Sequence, residues 1–187
     1  MLLLGHLGIG PRIVRPFTRG LPRWPVYLGA ITPDLIDKPA YFLASWATGR
    51  HGADVGVLSG TRTFGHTLLL TGLVAIVGRW RGSGVVIALA LGMLSHLALD
   101  SLADALGALQ GPPAPGTIPG VVAILWPVLG WQFPFATAPN ATSYFALTMT
   151  LWNLAGEILG ALFLILDARA FARARDVKPA VPHPSSG

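Results

Sequence analysis

The sequence predicts an all-α fold, a polytopic membrane helical bundle of four to five transmembrane segments plus one re-entrant segment. Three observations carry this expectation. Of the 187 residues, 52% are hydrophobic and only 11% are charged, whereas a soluble domain carries about a quarter charged residues. The mean hydropathy is +0.60. Basic residues gather in short clusters at 12–23, 79–81 and 169–178, each flanking an apolar stretch, which is the pattern of cytoplasmic loops. The length suits one compact domain, drawn over 1–168, followed by a basic and then Pro/Ser-rich tail at 169–187 that contains His183 and is expected to be disordered. The expected location is the inner (plasma) membrane, crossed several times.

Taken in order, residues 1–10 are apolar except for His6. They are too few to cross a bilayer, which takes about 20 residues, and read as a half-helix or the end of a tilted one. The run has no charged n-region and no small-residue cleavage site, so no separate cleavable signal is expected. A loop follows with Arg12, Arg15, Arg19 and Arg23 among Pro11, Pro16, Pro22 and Pro25. Residues 25–46 are apolar but interrupted by Pro33 and Pro39. Proline is tolerated in a first helical turn, so Pro33 can open a helix with Asp34 and Asp37 on one side of it. Capping of that helix accounts for one of the two carboxylates and leaves the other to be explained.

Residues 47–63 form a polar, Gly-rich loop, and Thr63-Phe64-Gly65-His66-Thr67 leads into the apolar run 68–77. The central stretch is Gly84 to Leu106, GVVIALALGMLSHLALDSLADAL. It carries His96, Asp100 and Asp104 at i, i+4 spacing, which stacks them along one helix face. The same row runs back through Gly92, Ala88 and Gly84, small residues that let a neighbouring backbone approach. Ionisable groups in so apolar a segment cost about 2.5–3.5 kcal/mol each on insertion scales and mark a site.

Residues 107–120 are a Pro/Gly-rich loop, and 121–135 is an apolar, aromatic run broken by Pro127 and Pro134 that suits a re-entrant or interfacial element. Segment 144–166 reads as the cleanest span, with Gly156 and Gly160 in GxxxG spacing and Glu157, the one glutamate of the chain, near its middle. With the basic clusters on the cytoplasmic side, 25–46, 64–79, 84–106 and 144–166 span, and 107–143 lies outside. His66, His96 and Asp100 then share the outer half of the bundle, with His6, Asp34 and Asp37 within reach of the same depth.

That convergence makes His6, Asp34, Asp37, His66, His96 and Asp100 the candidate metal ligands. The chain has no cysteine, so thiolate ligands and disulfides are excluded and a metal must be held by imidazole and carboxylate. A divalent ion is expected, zinc first, with manganese and iron as alternatives. The net charge of +5 speaks for lipid headgroups and topology, not nucleic acid: no recognition helix is apparent. Membrane lipids are the expected partners.

In this order the motifs resemble a family of bacterial membrane-bound, metal-dependent hydrolases, described as LexA-binding and inner-membrane-associated. Its pattern is matched over roughly residues 1–130 by His6, Pro33-Asp34-Leu35-Ile36-Asp37, Arg62 with His66-Thr67, His96-Leu97-Ala98-Leu99-Asp100, and Trp126-Pro127. The departure is Thr61, which stands where the family has a first histidine. The resemblance implies hydrolysis by water activated at a divalent metal. For a lipid or lipid-linked phosphate ester, Arg62 would grip a phosphate oxygen. Glu157, Asp37 or Asp104 would take the proton, and Arg62 and Glu157 are thus the candidate catalytic residues. Two other readings stay open: a metal-binding membrane protein without turnover, and a small ion or proton transporter relaying through His96, Asp100 and Glu157.

Overall fold

In the computed structural model, residues 3–109, 118–135, 142 and 151–176 are described, and among them the regular structure is helical throughout. The helices are α1 (Leu3–Ile13), α2 (Trp24–Gly29), α3 (Thr32–Thr48), α4 (Leu68–Trp80), α5 (Gly84–Ala108), α6 (Gly120–Ile124) and α7 (Leu151–Asp176). Short 3-10 turns occupy Arg15–Phe17, Gly52–Leu58 and Phe64–His66.

Local chemistry sets the boundaries. Pro33 sits in the first turn of α3, where its missing N–H costs nothing. The segment expected over 25–46 is therefore two helices, α2 and α3, parted at Ala30 and Ile31. The later end of α3 is closed by Gly49, whose φ of 65° is the left-handed C-cap conformation. Thr67 and Ser83 cap α4 and α5, their hydroxyls accepting from Leu70 N at 3.0 Å and Val86 N at 3.4 Å. Pro33, Asp37, Tyr41 and Ser45 form the buried stripe of α3, one residue per turn.

α5 is the axis of the bundle. α2 runs parallel to it: Leu21 lies beside Gly84, Val26 beside Gly92, and Ala30 beside His96. At the crossing the backbones touch, since a Cβ on Gly92 would lie 2.2 Å from the Val26 carbonyl oxygen and one on Gly29 2.1 Å from that of Leu89. The small-residue row of α5 is thus used as a backbone contact, with Ala88 fully buried. α1 runs antiparallel to α5, placing Gly10 against Ser95 and His6 against Asp100. α7 runs parallel to α1 through a second close approach, Gly8 on Gly160.

The distribution of polarity is inverted relative to a soluble domain. Among the largest fully buried side chains are His6, Asp37, His66 and His96, while Trp46, Trp80, Leu73, Ile76 and Ile158 are exposed. A polar interior inside an apolar exterior is what a hydrocarbon solvent demands.

Of the expected spans, α5 is the one described helix long and apolar enough to cross a membrane, at a mean hydropathy of 1.9 over its best window. α4 is apolar but has 13 residues, and α1 with 11 residues reaches only about 16 Å. The four to five crossings read from composition are therefore not matched by helix length. Segment 144–166 is described only from Leu151 onward. The 121–135 run begins as the short α6 and folds back on itself, with Trp126, Phe133 and Phe64 in mutual ring contact. α7 continues without a break to Asp176 across the boundary drawn at 168/169, and the rest of the expected disordered tail, 177–187, lies outside the described residues.

The α2–α5 crossing gives the first prediction. Gly92→Ala should destabilise the folded protein by about 1–3 kcal/mol, the cost of overpacking against backbone that cannot move aside. Gly84→Ala, whose new methyl would meet the flexible Leu21 Cδ2 end at 3.2 Å and Pro22 Cδ at an ordinary 3.8 Å, should leave thermal unfolding in detergent nearly unchanged. Equal melting of the two variants would show that the backbone contact carries no stability.

Candidate metal centre

Asp37 builds the floor of the site. Its Oδ1 accepts from Thr63 Oγ1 and Gly65 N, both at 2.9 Å. Its Oδ2 accepts from Thr63 N at 2.7 Å, His66 N at 3.2 Å and His66 Nδ1 at 2.7 Å. The 63–66 turn is thereby wrapped around one buried carboxylate, and His66 is delivered at a fixed angle. The helices bring the rest: α5 gives His96 and Asp100, α3 gives Asp34, and α1 gives His6.

The hydrogen bonds determine where each imidazole carries its proton. His66 Nδ1 faces the Asp37 carboxylate at 2.7 Å and must donate to it. His96 Nδ1 lies 2.7 Å from the Ala30 carbonyl oxygen, which can only accept, so it donates as well. The break between α2 and α3 puts this carbonyl where His96 can reach it. In their neutral forms both rings therefore turn a lone pair outward on Nε2, and those two nitrogens are 3.2 Å apart. Asp34 Oδ1 joins them at 3.5 Å from His66 Nε2 and 3.8 Å from His96 Nε2. Asp100 Oδ2 joins at 3.5 Å and 3.7 Å from the same two atoms. Acceptors converging in a buried space call for positive charge, which Lys38 and Arg62 supply in part and a bound ion could complete.

A divalent metal fits. Bond lengths of 2.0–2.2 Å in a tetrahedral zinc site separate the ligand atoms by about 3.3–3.6 Å, and within the Asp34–His66–His96 group the separations run from 3.2 to 3.8 Å. His6 adds a fifth donor. Its ring stacks on His96 with centroids 3.7 Å apart, and its Nε2 is 3.3 Å from Asp100 Oδ1. Both of its ring nitrogens are buried without a hydrogen bond of good geometry. Two overlapping groups can hold an ion, His6–His96–Asp100 and Asp34–His66–His96.

Five of the six expected ligands, His6, Asp34, His66, His96 and Asp100, are thus brought together. Asp37 is the exception: its oxygens are taken by the 63–66 loop, and it stands behind His66, setting that ring's tautomer instead of facing the ion. Of the expected catalytic residues, Arg62 lies beside the cluster, with Nε 3.2 Å from Asp100 Oδ2 and Nη1 2.7 Å from Asp104 Oδ2. Glu157 does other work. Its two oxygens accept from Leu4 N at 2.8 Å and Gly5 N at 3.0 Å, so it caps α1 and holds the turn from which His6 projects. Asp104, weighed as a base, is the second partner of Arg62.

Sequence reasoning missed Lys38, which pairs with Asp34, although its i+4 spacing from that residue was a usable signal. It also missed the Ala30 carbonyl and the hydroxyl of Thr63, whose roles depend on chain segments meeting in space.

A model of the YdjM inner membrane protein family matches residues 1–175. No curated protein and no solved structure matches the chain at a significant level.

The geometry yields a graded prediction for metal content, measured by elemental analysis of detergent-purified protein. His96→Ala and Asp34→Ala should abolish retention of a divalent ion. Asp37→Asn, which spares every facing ligand but disturbs the His66 tautomer, should weaken affinity about 10–100-fold. Full loss in Asp37→Asn together with full retention in Asp34→Ala would reverse the assigned roles.

Proposed function

The chain belongs to the YdjM inner membrane protein family, and we propose that it is a multi-pass, metal-dependent hydrolase acting at the membrane on a lipid or lipid-linked phosphate ester. The observation that carries this reading is the pair of Nε2 lone pairs 3.2 Å apart, flanked by Asp34 and Asp100, inside an apolar shell. Zinc suits the mixed imidazole and carboxylate donors best. A bound divalent ion supplies Lewis acidity, polarising a substrate oxygen and making water a stronger acid.

The protein's own residues supply the rest. His66 and His96 are locked by Asp37 and Ala30, so their lone pairs are aimed before any ion arrives. Asp34 is the most exposed of the donors: its side chain is 15% accessible against 5% or less for His6, His66, His96 and Asp100. It therefore marks the mouth through which a substrate would reach the cluster. Two cations flank the centre, Lys38 on Asp34 and Arg62 on Asp100. Arg62 is one-quarter exposed, and its guanidinium both orients Asp100 and offers positive charge to an incoming phosphate.

A second reading, a metal site without turnover, draws support from the completeness of the donor set: five protein side chains, four of them almost wholly buried, resemble a closed structural site. Turnover separates the two. Wild-type protein holding its metal should release water-soluble headgroup from labelled phospholipids. Arg62→Ala should lower that release by about 10²-fold, roughly the loss of one charged transition-state donor, at unchanged metal occupancy. Metal-loaded wild type that cleaves nothing across a broad lipid panel would leave the non-catalytic reading.

A further inference from the structure

The far end of α5 carries a second feature that the His/Asp cluster does not use. Gly84 packs beside Leu21 and Pro22, so the basic loop 12–23 surrounds the start of the helix. Asp100 lies about 24 Å further along it. Between α1, that loop, α2 and the last turns of α7 is a cavity of about 650 Å³, lined by Arg12, Arg15, Arg23, Trp24, Tyr27 and Phe171 among others. It adjoins a second, of about 580 Å³, which shares Arg12, Arg15 and Arg23 and adds Arg19.

The arginines are not equivalent. Arg12 is spent: it makes a bidentate pair with Asp167 at 2.8 and 2.9 Å, reaches the carbonyls of Gly8 and Phe163, and lies over the Phe163 ring. Asp167 also accepts from Tyr27 at 3.0 Å, which leaves its carboxylate little capacity for further cations. Among the described residues no carboxylate pairs with Arg15, Arg19 or Arg23. Arg15 and Arg23 line both adjoining cavities and Arg19 lines the second, and among the described residues none of the three has a carboxylate partner, a potential that attracts an anion. The walls divide by character. Arg19 lines the second cavity with the loop, while Trp24 and Phe171, 61% and 67% exposed, give the first an apolar shoulder. An anionic head joined to an apolar body matches both.

We propose that these two adjoining cavities bind one anionic phospholipid, its phosphodiester held at their shared Arg15 and Arg23 with Arg19 of the second, and its acyl chains leaving across Trp24 and Phe171 of the first. The phosphate is the recognised group, and the aromatic shoulder favours a lipid over free phosphate. The site is separate from the metal centre, so its test stands whether or not the protein hydrolyses anything.

The test uses the full chain in neutral detergent, titrated with phosphatidylglycerol or phosphatidylcholine and read by native mass spectrometry for retained lipid. Phosphatidylglycerol should be retained and phosphatidylcholine should not. The triple variant Arg15→Gln, Arg19→Gln, Arg23→Gln should bind phosphatidylglycerol about a hundredfold more weakly, and the single variants about fivefold each, which keeps the test readable if the triple variant fails to fold. The double variant Arg79→Gln, Arg81→Gln, at the same end of the bundle but outside the cavity, should bind as wild type. Unchanged binding in the folded triple variant, or equal loss in the Arg79/Arg81 control, would overturn the proposal. Displacement of the lipid by an equal concentration of inorganic phosphate would overturn the lipid assignment in favour of a free anion.

Discussion

One buried carboxylate organises the interior. Asp37 gathers the N–H groups of Thr63, Gly65 and His66, the Thr63 hydroxyl and the His66 ring onto two oxygen atoms. Apart from the His66 N–H, which also reaches the Thr63 carbonyl at 3.2 Å, these donors would otherwise be unmet polar groups in an apolar medium, at several kcal/mol apiece. The loop between α3 and α4 can pass through the interior because this anion is there to receive it. His66 is then aimed by the same contact that folds the loop, so a requirement of folding and a requirement of the site are met by one residue.

A second constraint acts from outside. With Trp, Leu and Ile side chains turned outward, the helices gain little from hiding apolar surface from lipid, and packing must come from close backbone approach and from polar contacts. Both are visible. Gly29 on Gly92 and Gly8 on Gly160 are the close approaches. The Arg12–Asp167 pair and the Glu157 cap tie α1 to α7 at either end of the contact. The charged and polar residues of this chain are therefore bonding elements of the bundle as much as functional groups.

These facts also explain what could be read from residues alone. The row of His96 and Asp100 is a property of helical period, and Pro33 opening α3 is a property of the pyrrolidine ring, so both were legible. So was the meeting of four segments at one depth, because the order of basic clusters limits how the segments can run. Asp34 and Asp37, by contrast, are the same residue type three positions apart. Which one faces the ion depends on the 63–66 loop, which no local pattern encodes. The backbone partners of Glu157 were hidden for a related reason. A lone carboxylate in an apolar helix signals a partner, but that partner is the backbone start of α1, and backbone N–H groups leave no trace in composition. The number of crossings could not be checked by helix length, because hydropathy counts apolar residues without seeing that the run at 25–46 divides into two shorter helices, α2 and α3.

The Glu157 cap carries a consequence for how the protein is made. Leu4 and Glu157 are separated by 153 positions, and ribosomes add about 5–20 residues per second. α1 therefore emerges many seconds before the carboxylate that completes its first turn. During that interval α1 can pack on α5 through Gly10 and Ser95, but without the carboxylate that receives the Leu4 and Gly5 N–H groups. A chain arrested before residue 157 would hold α1 without that cap, an immature form distinguishable from the finished protein by its unmet Leu4 and Gly5 N–H groups.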